Sequence, residues 1–489
     1  MGNELAYTRD LVRQLAQSRD DLDLMAAARA LAGLGVRATA AVPDLVMLLR
    51  KGDGPRKAAA AFVLSEIGPA ACDIVPELPV ELTKQLSERH PDVRHWSAVA
   101  LGRLGERARE GLEPLARATR DTDESVRLVS AQALGEIASL SSSGSEEAVK
   151  ALTHVLADPS DDVCTAAARA LAKIGPRSKR VVPALLDAVE RQSPKGSAHA
   201  IEALGLLGDA AAGATPKLVR LLEDPDAGIR AKATQALGRI PGPSPIVVCA
   251  VAKGLSDPSD AVRHEAAKAL ARFGEQAAPA APQLLSALQD PDDKVRLHTI
   301  DILEKIAPKC EPVTPAIALA LLHRLRDRRA AVRTRAFHAL GTLGPWARPA
   351  EREIIDALSS TDPGIRLAAT QALGHLLNDS GEILGALRDR LYDADGAVRA
   401  GACVSLVALG ESVSSILPRL LDDLNDATVA TQVHALKALG ELGNEAADAL
   451  IAVNQKRNDP HEAVRMLAEQ VAERIGAGRH LPEKEPDSQ

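Results

Sequence analysis

Aromatic side chains are almost missing: two Trp, two Tyr and three Phe in 489 residues, about 1% of a chain that is 46% hydrophobic. Apolar burial must then come from Ala, Leu, Val and Ile, which suits many thin, closely packed helices better than one large core. Cysteine is scarce too. Cys72, Cys164, Cys249, Cys310 and Cys403 stand 61 to 93 residues apart with no CxxC or CxxH spacing. That argues against a zinc module or a disulfide framework and points to a reducing, cytoplasmic setting. No uninterrupted apolar run exceeds seven residues, as in Ala316–Leu322, whereas ~20 are needed to cross a bilayer, so no membrane partner is expected. The opening MGNELAYTRDLVRQ meets charges before any apolar run and does not read as a secretory signal. There is no GxSxG, HExxH or GxxxxGK[ST] string, so the expectation is a non-enzyme with no cofactor and no metal.

What is present is a repeat. DPSDAVRHEAAKALARFG (257–274) recurs as DPDDKVRLHTIDILEKIA (290–307), DRRAAVRTRAFHALGTLG (327–344) and DADGAVRAGACVSLVALG (393–410). Taking the Val of "VR" as position 0, zeros fall at 23, 56, 93, 126, 163, 196, 229, 262, 295, 332, 365, 398, 431 and 464; ten of the thirteen intervals are 33 residues and three are 37. Such a period marks a stack of identical supersecondary units. Each unit reads as two helices. The first is short and often opens on Pro, as at Pro43, Pro282 and Pro418. An Asp-Pro-x-Asp turn follows, with Asp as N-cap of a four-turn second helix that stops at a left-handed Gly such as Gly105, Gly274, Gly344 or Gly443.

At 100° per residue, positions 0, +4, +7, +8 and +11 share one face of the second helix. Position +8 is Leu in thirteen of fourteen units and +4 is Ala in eleven, Ser or Thr in the rest. A second small face includes Gly at +9 (Gly102, Gly135, Gly205, Gly238, Gly341, Gly374, Gly440). A helix apolar on two sides needs neighbours on two sides, the signature of a stack. Asp at −5 and Arg at +1 complete the unit, as in Asp224/Arg230, Asp257/Arg263, Asp290/Arg296, Asp327/Arg333 and Asp393/Arg399.

This Asp…Val-Arg…Ala…Ala-Leu-Gly pattern resembles the HEAT-repeat family, in the short form similar to the phycobilin-lyase-type HEAT-like repeats, over nearly the whole chain. The resemblance implies an all-α, right-handed αα superhelix of about fourteen two-helix repeats, with those Asp and Arg side chains bridging successive repeats as a ladder. It also implies that the second helices line the concave side. Ankyrin repeats share the period, but no TPLH-type turn occurs. The expected organisation is one solenoid over residues 1–476 and a frayed tail over 477–489. A weak seam is expected near 139–197, where Cys164 and Ser197 replace Arg and the Ser-rich insertion Leu140–Glu147 enters.

Positions +3, +6 and +10 form the exposed stripe left by the core and stacking faces. Units five to eleven place Arg169, Lys173, Lys232, Arg239, Lys268, Arg272, Lys305 and Arg335 on it, against Glu202, Glu265 and Asp301, in a chain of net charge −7. A cationic trough in an acidic protein attracts acidic partners. His298, His338 and His375 lie on the same stripe, but helices 9–10 Å apart cannot converge three imidazoles on one ion, so they read as surface histidines. Toward the N-terminus Phe62 and Trp96 replace the charges; they could anchor a peptide, or Trp96 could pack under the insertion that precedes it. The expected function is a scaffold or adaptor that holds a protein partner, an acidic segment, on its concave surface. Nucleic-acid binding along the basic stripe is the alternative, and a lyase or lyase helper the third reading.

Overall fold

The computed structural model describes residues 2–18, 20–140, 145–175, 178–191, 193–310, 313–376 and 380–476. The expected tail 477–489 and residues 141–144 of the Ser-rich insertion lie outside them. No strand occurs among the described residues; helices follow one another in pairs, and all fourteen second helices are present, from Asp21–Leu34 to Glu462–Gly476. The chain divides into two compact units, Met1–Arg272 and Phe273–Gln489. Each unit is a stack of helix pairs.

The core of both units is the leucine at +8. All thirteen, from Leu31 to Leu439, are at most 1% exposed, and burying each contributes about 1.5–3 kcal/mol. Alanine at +4 keeps the paired first helix close above it. The glycines at +9 set the spacing between second helices. A Cβ on Gly102, Gly135, Gly205, Gly238, Gly341 or Gly374 would stand 2.6–3.1 Å from the Cβ or Cα of residue +7 in the next repeat (Ala133, Ala170, Ala236, Ala269, Ala372, Ser405). Small residues therefore face each other across every such interface, and the backbones meet almost directly. In the first helix, Gly2–Gln17, Leu11, Val12 and Leu15 are buried while Arg9, Asp10, Arg13 and Gln14 face solvent.

Two local expectations need correcting. The glycines that end the second helices are not in the left-handed helical region: Gly105 has φ 58°, ψ −129° and Gly443 has φ 55°, ψ −129°. That conformation, closed to any residue with a Cβ, swings the chain into a seven-residue 3-10 segment (Gly105–Gly111, Gly443–Ala449) that leads into the next first helix. Pro418 does not open its helix but lies inside Val413–Leu424. There the chain turns at Gly410 (φ 95°) and enters the helix almost at once, without the 3-10 segment, so the helix begins early. A similar break matters near the N-terminus. Asp21–Lys51 is, among the described residues, the one stretch long and apolar enough to cross a membrane by composition. Gly35 (φ 53°) and the segment Gly35–Ala41 divide it into helices of 14 and 10 residues.

The Asp and Arg positions join neighbouring repeats. Nε and Nη2 of Arg230 grip both oxygens of Asp257 in the next repeat at 2.8 Å, while Nη1 reaches back to the carbonyls of Asp224 (2.8 Å) and Pro225 (3.1 Å). Arg94–Asp121, Arg127–Asp158, Arg296–Asp327 and Arg366–Asp393 repeat this arrangement. The planar guanidinium suits it, holding a carboxylate on one edge and carbonyls on the other. Each aspartate is also fixed by a backbone N–H two residues on, as Ser259 N to Asp257 at 2.9 Å.

The ladder thus runs between successive repeats, as the resemblance implied, and contact within one unit is of another kind. Arg263 meets its own unit's Asp257 through the main chain, not the carboxylate. Its Nη1 donates to the carbonyls of Asp257 (3.1 Å) and Pro258 (3.3 Å), because the Asp257 carboxylate is already taken by Arg230 of the preceding repeat. Arg399 deviates in another way: its fork takes Asp423, at 2.9 and 3.0 Å, rather than the aspartate at −5, Asp426.

Where Lys57 replaces the arginine the rung persists, to Glu88 of the next repeat; at Cys164 and Ser197 no guanidinium or ammonium stands at that position to make it. Cys164 Sγ donates to the Asp158 carbonyl at 3.2 Å but cannot reach further. Lys195 of the following repeat reaches back instead, to the Pro159 carbonyl at 2.7 Å and to Asp161 at 2.9 Å. Ser197 Oγ bonds to the Val189 carbonyl within its own repeat.

Candidate functional site

The stripe at +3, +6 and +10 lies on the second helices of both units. In Met1–Arg272 it begins with aromatics. Phe62 and Trp96, both half-buried, pack with ring centroids 4.6 Å apart, and His95 meets Trp96 edge-on at 5.0 Å. Beside them, a cleft of about 810 Å³ opens over the second helices of repeats three to five. Val99, Val129 and Leu140 give it apolar walls, the small residues Gly102, Ala133 and Gly135 a low floor, and Arg103, Glu136, Arg169 and Lys173 a charged rim. The close approach of backbones at the +9 glycines is what leaves this floor uncovered by side chains.

Most stripe cations are already engaged. Lys173 pairs with Glu136, Arg103 with Glu66 at 2.9 Å, Lys232 with Glu202 at 2.8 Å and Lys268 with Glu265 at 3.2 Å. Burial raises the Glu202 carboxyl, but the Lys232 ammonium outweighs it and holds the group below the usual range. His199, between Asp161 (3.7 Å) and Glu202 (4.0 Å), is pushed down by burial, which favours the neutral ring. Arg169, Arg239 and Arg272 make no ion pair among the described residues; Arg169 and Arg272 are exposed and Arg239 is half-buried.

In Phe273–Gln489 the stripe is more self-contained. Arg335 pairs with Asp301 and, at 2.6 Å, with Glu304. His338 Nδ1 lies 3.2 Å from Glu304 and 3.0 Å from Arg335 Nη1. Lys305 is exposed, with no ion pair among the described residues; His375 is exposed and His298 half-buried. Among the described residues, no three His, Cys, Asp or Glu side chains gather to hold a metal ion.

Glu66, Glu136 and Glu304 were the residues the sequence argument missed. The signal was there: carboxylates and cations meet from +10 to +10 of the next repeat (Glu66/Arg103, Glu136/Lys173) or from +6 to +3 (Glu202/Lys232, Asp301/Arg335). Counting charges without that register overstates the free positive charge.

Solved structures of large helical-repeat proteins superimpose on this chain. Importin beta in a polyethylene glycol condition matches with TM-score 0.67 and 16% identity over 96% of this chain and 75% of its own. Kap121p bound to Nup53p matches with TM-score 0.64 and 15% identity, and the karyopherin Kap121p bound to the extreme C-terminus of the protein phosphatase Cdc14p with 0.63 and 15%. These cover 98% and 96% of this chain but only 57% of Kap121p. At such identity the likeness is one of fold. No curated protein matches the chain by sequence. The model of the PBS lyase HEAT-like repeat matches residues 163–191, and that of HEAT repeats matches 79–172, 182–250, 216–285, 248–341, 318–407 and 351–432. Matched over most of its length and built from the stacked pairs described above, the chain belongs to the HEAT-repeat family.

Proposed function

We propose that the protein is a non-catalytic scaffold that holds an acidic segment of a protein partner on the second-helix stripe of Met1–Arg272, the concave side in this reading. The observation that carries it is the set Arg169, Arg239 and Arg272, three guanidiniums on one stripe without ion pairs, the first on the rim of an apolar-walled cleft. Lys173, Lys232 and Lys268 sit on the same stripe and exchange their internal carboxylates for the partner's. Phe62 and Trp96 offer apolar surface at the end of the row. The structures of Kap121p with bound protein segments support the reading by showing the same fold at such work. On the other unit, Lys305, Arg335 and His338 are secondary, since Arg335 is doubly paired. The five cysteines are free thiols, in keeping with a reducing, cytoplasmic setting.

The test is fluorescence anisotropy with a short Glu-rich peptide carrying one apolar residue. The wild-type chain should bind it, and the triple reversal Arg169→Glu, Arg239→Glu, Arg272→Glu should not. Equal affinity would refute the proposal. Tighter binding to an oligonucleotide, falling by about one log unit per log salt for each phosphate neutralised, would favour nucleic-acid recognition instead.

A further inference from the structure

The turns between first and second helices are acidic nearly everywhere: Asp224-Pro-Asp226, Asp257 to Asp260, Asp290-Pro-Asp292-Asp293, Asp393-Ala-Asp395. The turn of the tenth repeat reverses this. It reads His323-Arg324-Leu325-Arg326-Asp327-Arg328-Arg329, four guanidiniums and an imidazole around one carboxylate. That carboxylate is fully used: Asp327, its side chain 3% exposed, takes the Arg296 fork at 2.8 and 2.9 Å and lies 3.6 Å from Arg324. Arg329 pairs with Asp293 at 3.2 Å, and Arg328 donates to the Pro291 carbonyl at 2.6 Å. Arg326 and His323 are exposed and make no ion pair among the described residues. Pro291, His323, Arg324, Arg326 and Arg328 line a cleft of about 360 Å³.

A second observation lies on the same turn. Arg333 is anchored like the other ladder arginines, with Nη1 on the carbonyls of Asp327 (2.9 Å) and Arg328 (3.4 Å). Among the described residues its fork has no carboxylate to grip: the next repeat carries Ser360 at the ladder position. Ser359, Ser360 and Thr361 precede Asp362, whose side chain caps the backbone N–H of Gly364 at 2.9 Å. Here a rung is built on one side only.

We propose that this turn binds one phosphomonoester, carried on a serine or threonine of a partner protein, with the Arg333 fork making the bidentate contact and Arg326 and Arg328 supplying the surrounding field. A phosphomonoester brings nearly two charges and three acceptor oxygens, which suits a planar fork amid excess guanidinium better than a single carboxylate does. A nucleic-acid backbone is disfavoured by the same row. The turn before carries Asp290, Asp292 and Asp293, the turn beyond carries Asp362 and the one after that Asp393 and Asp395, so a chain of phosphates laid along the row meets repulsion while an isolated one does not. The site is separate from the stripe of Met1–Arg272 and stands or falls without it.

The experiment uses the full chain and a fluorescent phosphoserine peptide with neutral flanks, its unphosphorylated twin and its glutamate twin. The phosphorylated peptide should bind at least about tenfold more tightly than either twin. Arg333→Ala and the pair Arg326→Ala, Arg328→Ala should each lower that affinity by about tenfold or more. Ser360→Asp restores the missing rung and should abolish binding while raising the thermal unfolding midpoint, so that the loss is not one of folding. The triple reversal on the stripe should leave phosphopeptide affinity unchanged. Equal binding of the three peptides, unchanged affinity in Arg333→Ala or Ser360→Asp, or preference for a single-stranded oligonucleotide over the phosphopeptide would each overturn the proposal.

Discussion

Glycine at +9 is a steric requirement in some helices and a mere weakness in others, and paired substitutions separate the two. Gly135 lies in Glu124–Leu140, where an added Cβ would stand 2.6 Å from Ala170 Cβ and 2.8 Å from Ala170 Cα in the next repeat. Neither atom can rotate away, so the two helices must part by about 1 Å to regain ordinary contact. Overpacking costs about 1–3 kcal/mol, and at 2.6 Å from atoms that cannot rotate away the upper part, about 2–3 kcal/mol, applies; against a helix-propensity gain of about 1 kcal/mol the net loss is about 1–2 kcal/mol. Gly385, in the middle of Gly381–Arg390, has nothing within 4 Å of its added Cβ. There the propensity gain stands alone, about 0.5–1 kcal/mol of stabilisation. Because neighbouring repeats couple only to each other, the effect should be read locally, by amide hydrogen exchange. Gly135→Ala should speed exchange in Glu124–Leu140 and Asp161–Ile174 by about 5- to 30-fold, while Gly385→Ala slows it in Gly381–Arg390. Protection in Gly135→Ala equal to or above wild type would refute the close-approach argument, and faster exchange in Gly385→Ala would refute the propensity argument.

Further predictions concern the ladder and the thiols. Asp327→Ala leaves Arg296, its side chain 4% exposed, without its carboxylate, and should cost about 3–5 kcal/mol by urea denaturation; Glu113→Ala, at the exposed pair with Arg117, should cost about 1 kcal/mol or less. The Asp121, Asp158, Asp327 and Asp393 carboxyls are raised by burial but lowered further by their arginines, and Asp257 is lowered chiefly by Arg230, so all five lie below the usual range. A carboxyl depressed in the folded state stabilises fully above its unfolded value, about pH 3.9, and loses that stabilisation as pH falls through the folded value. Circular dichroism should thus show helix retained at pH 4 and lost only below it; loss of helix between pH 5 and 4 would contradict the ladder's role. Burial pushes the Cys403 thiol up to about 12. With Cys72 and Cys164 also buried, a thiol reagent should label Cys249 and Cys310 first and the other three only on unfolding, as mass spectrometry of the labelled chain can check.

Period carried most of this fold, because the side chains that matter repeat with it. Leu at +8 and Gly at +9 could be placed on their faces from spacing alone, and the structure puts every one of those leucines in the core. What spacing could not supply was anything set by the first helix or by the register between repeats. Pro418 was misplaced because the length of the segment after Gly410 is not periodic. Asp257 and Arg263 share a unit, yet the carboxylate serves the arginine one repeat earlier, Arg230, and Arg263 meets Asp257 through its main-chain carbonyl. Arg399 reaches Asp423, on the first helix, because a guanidinium on a long stem takes the nearest buried carboxylate rather than the one in register. The stripe shows the same limit. Its cations were legible as residues, but whether each is free depends on which carboxylate of the adjoining repeat stands within about 4 Å, a relation between units that a single unit's pattern does not contain. Hence Lys232 and Arg335, equal by position, differ in consequence from Arg169, and the departures from the repeat, Ser360 above all, carry more functional information than the consensus does.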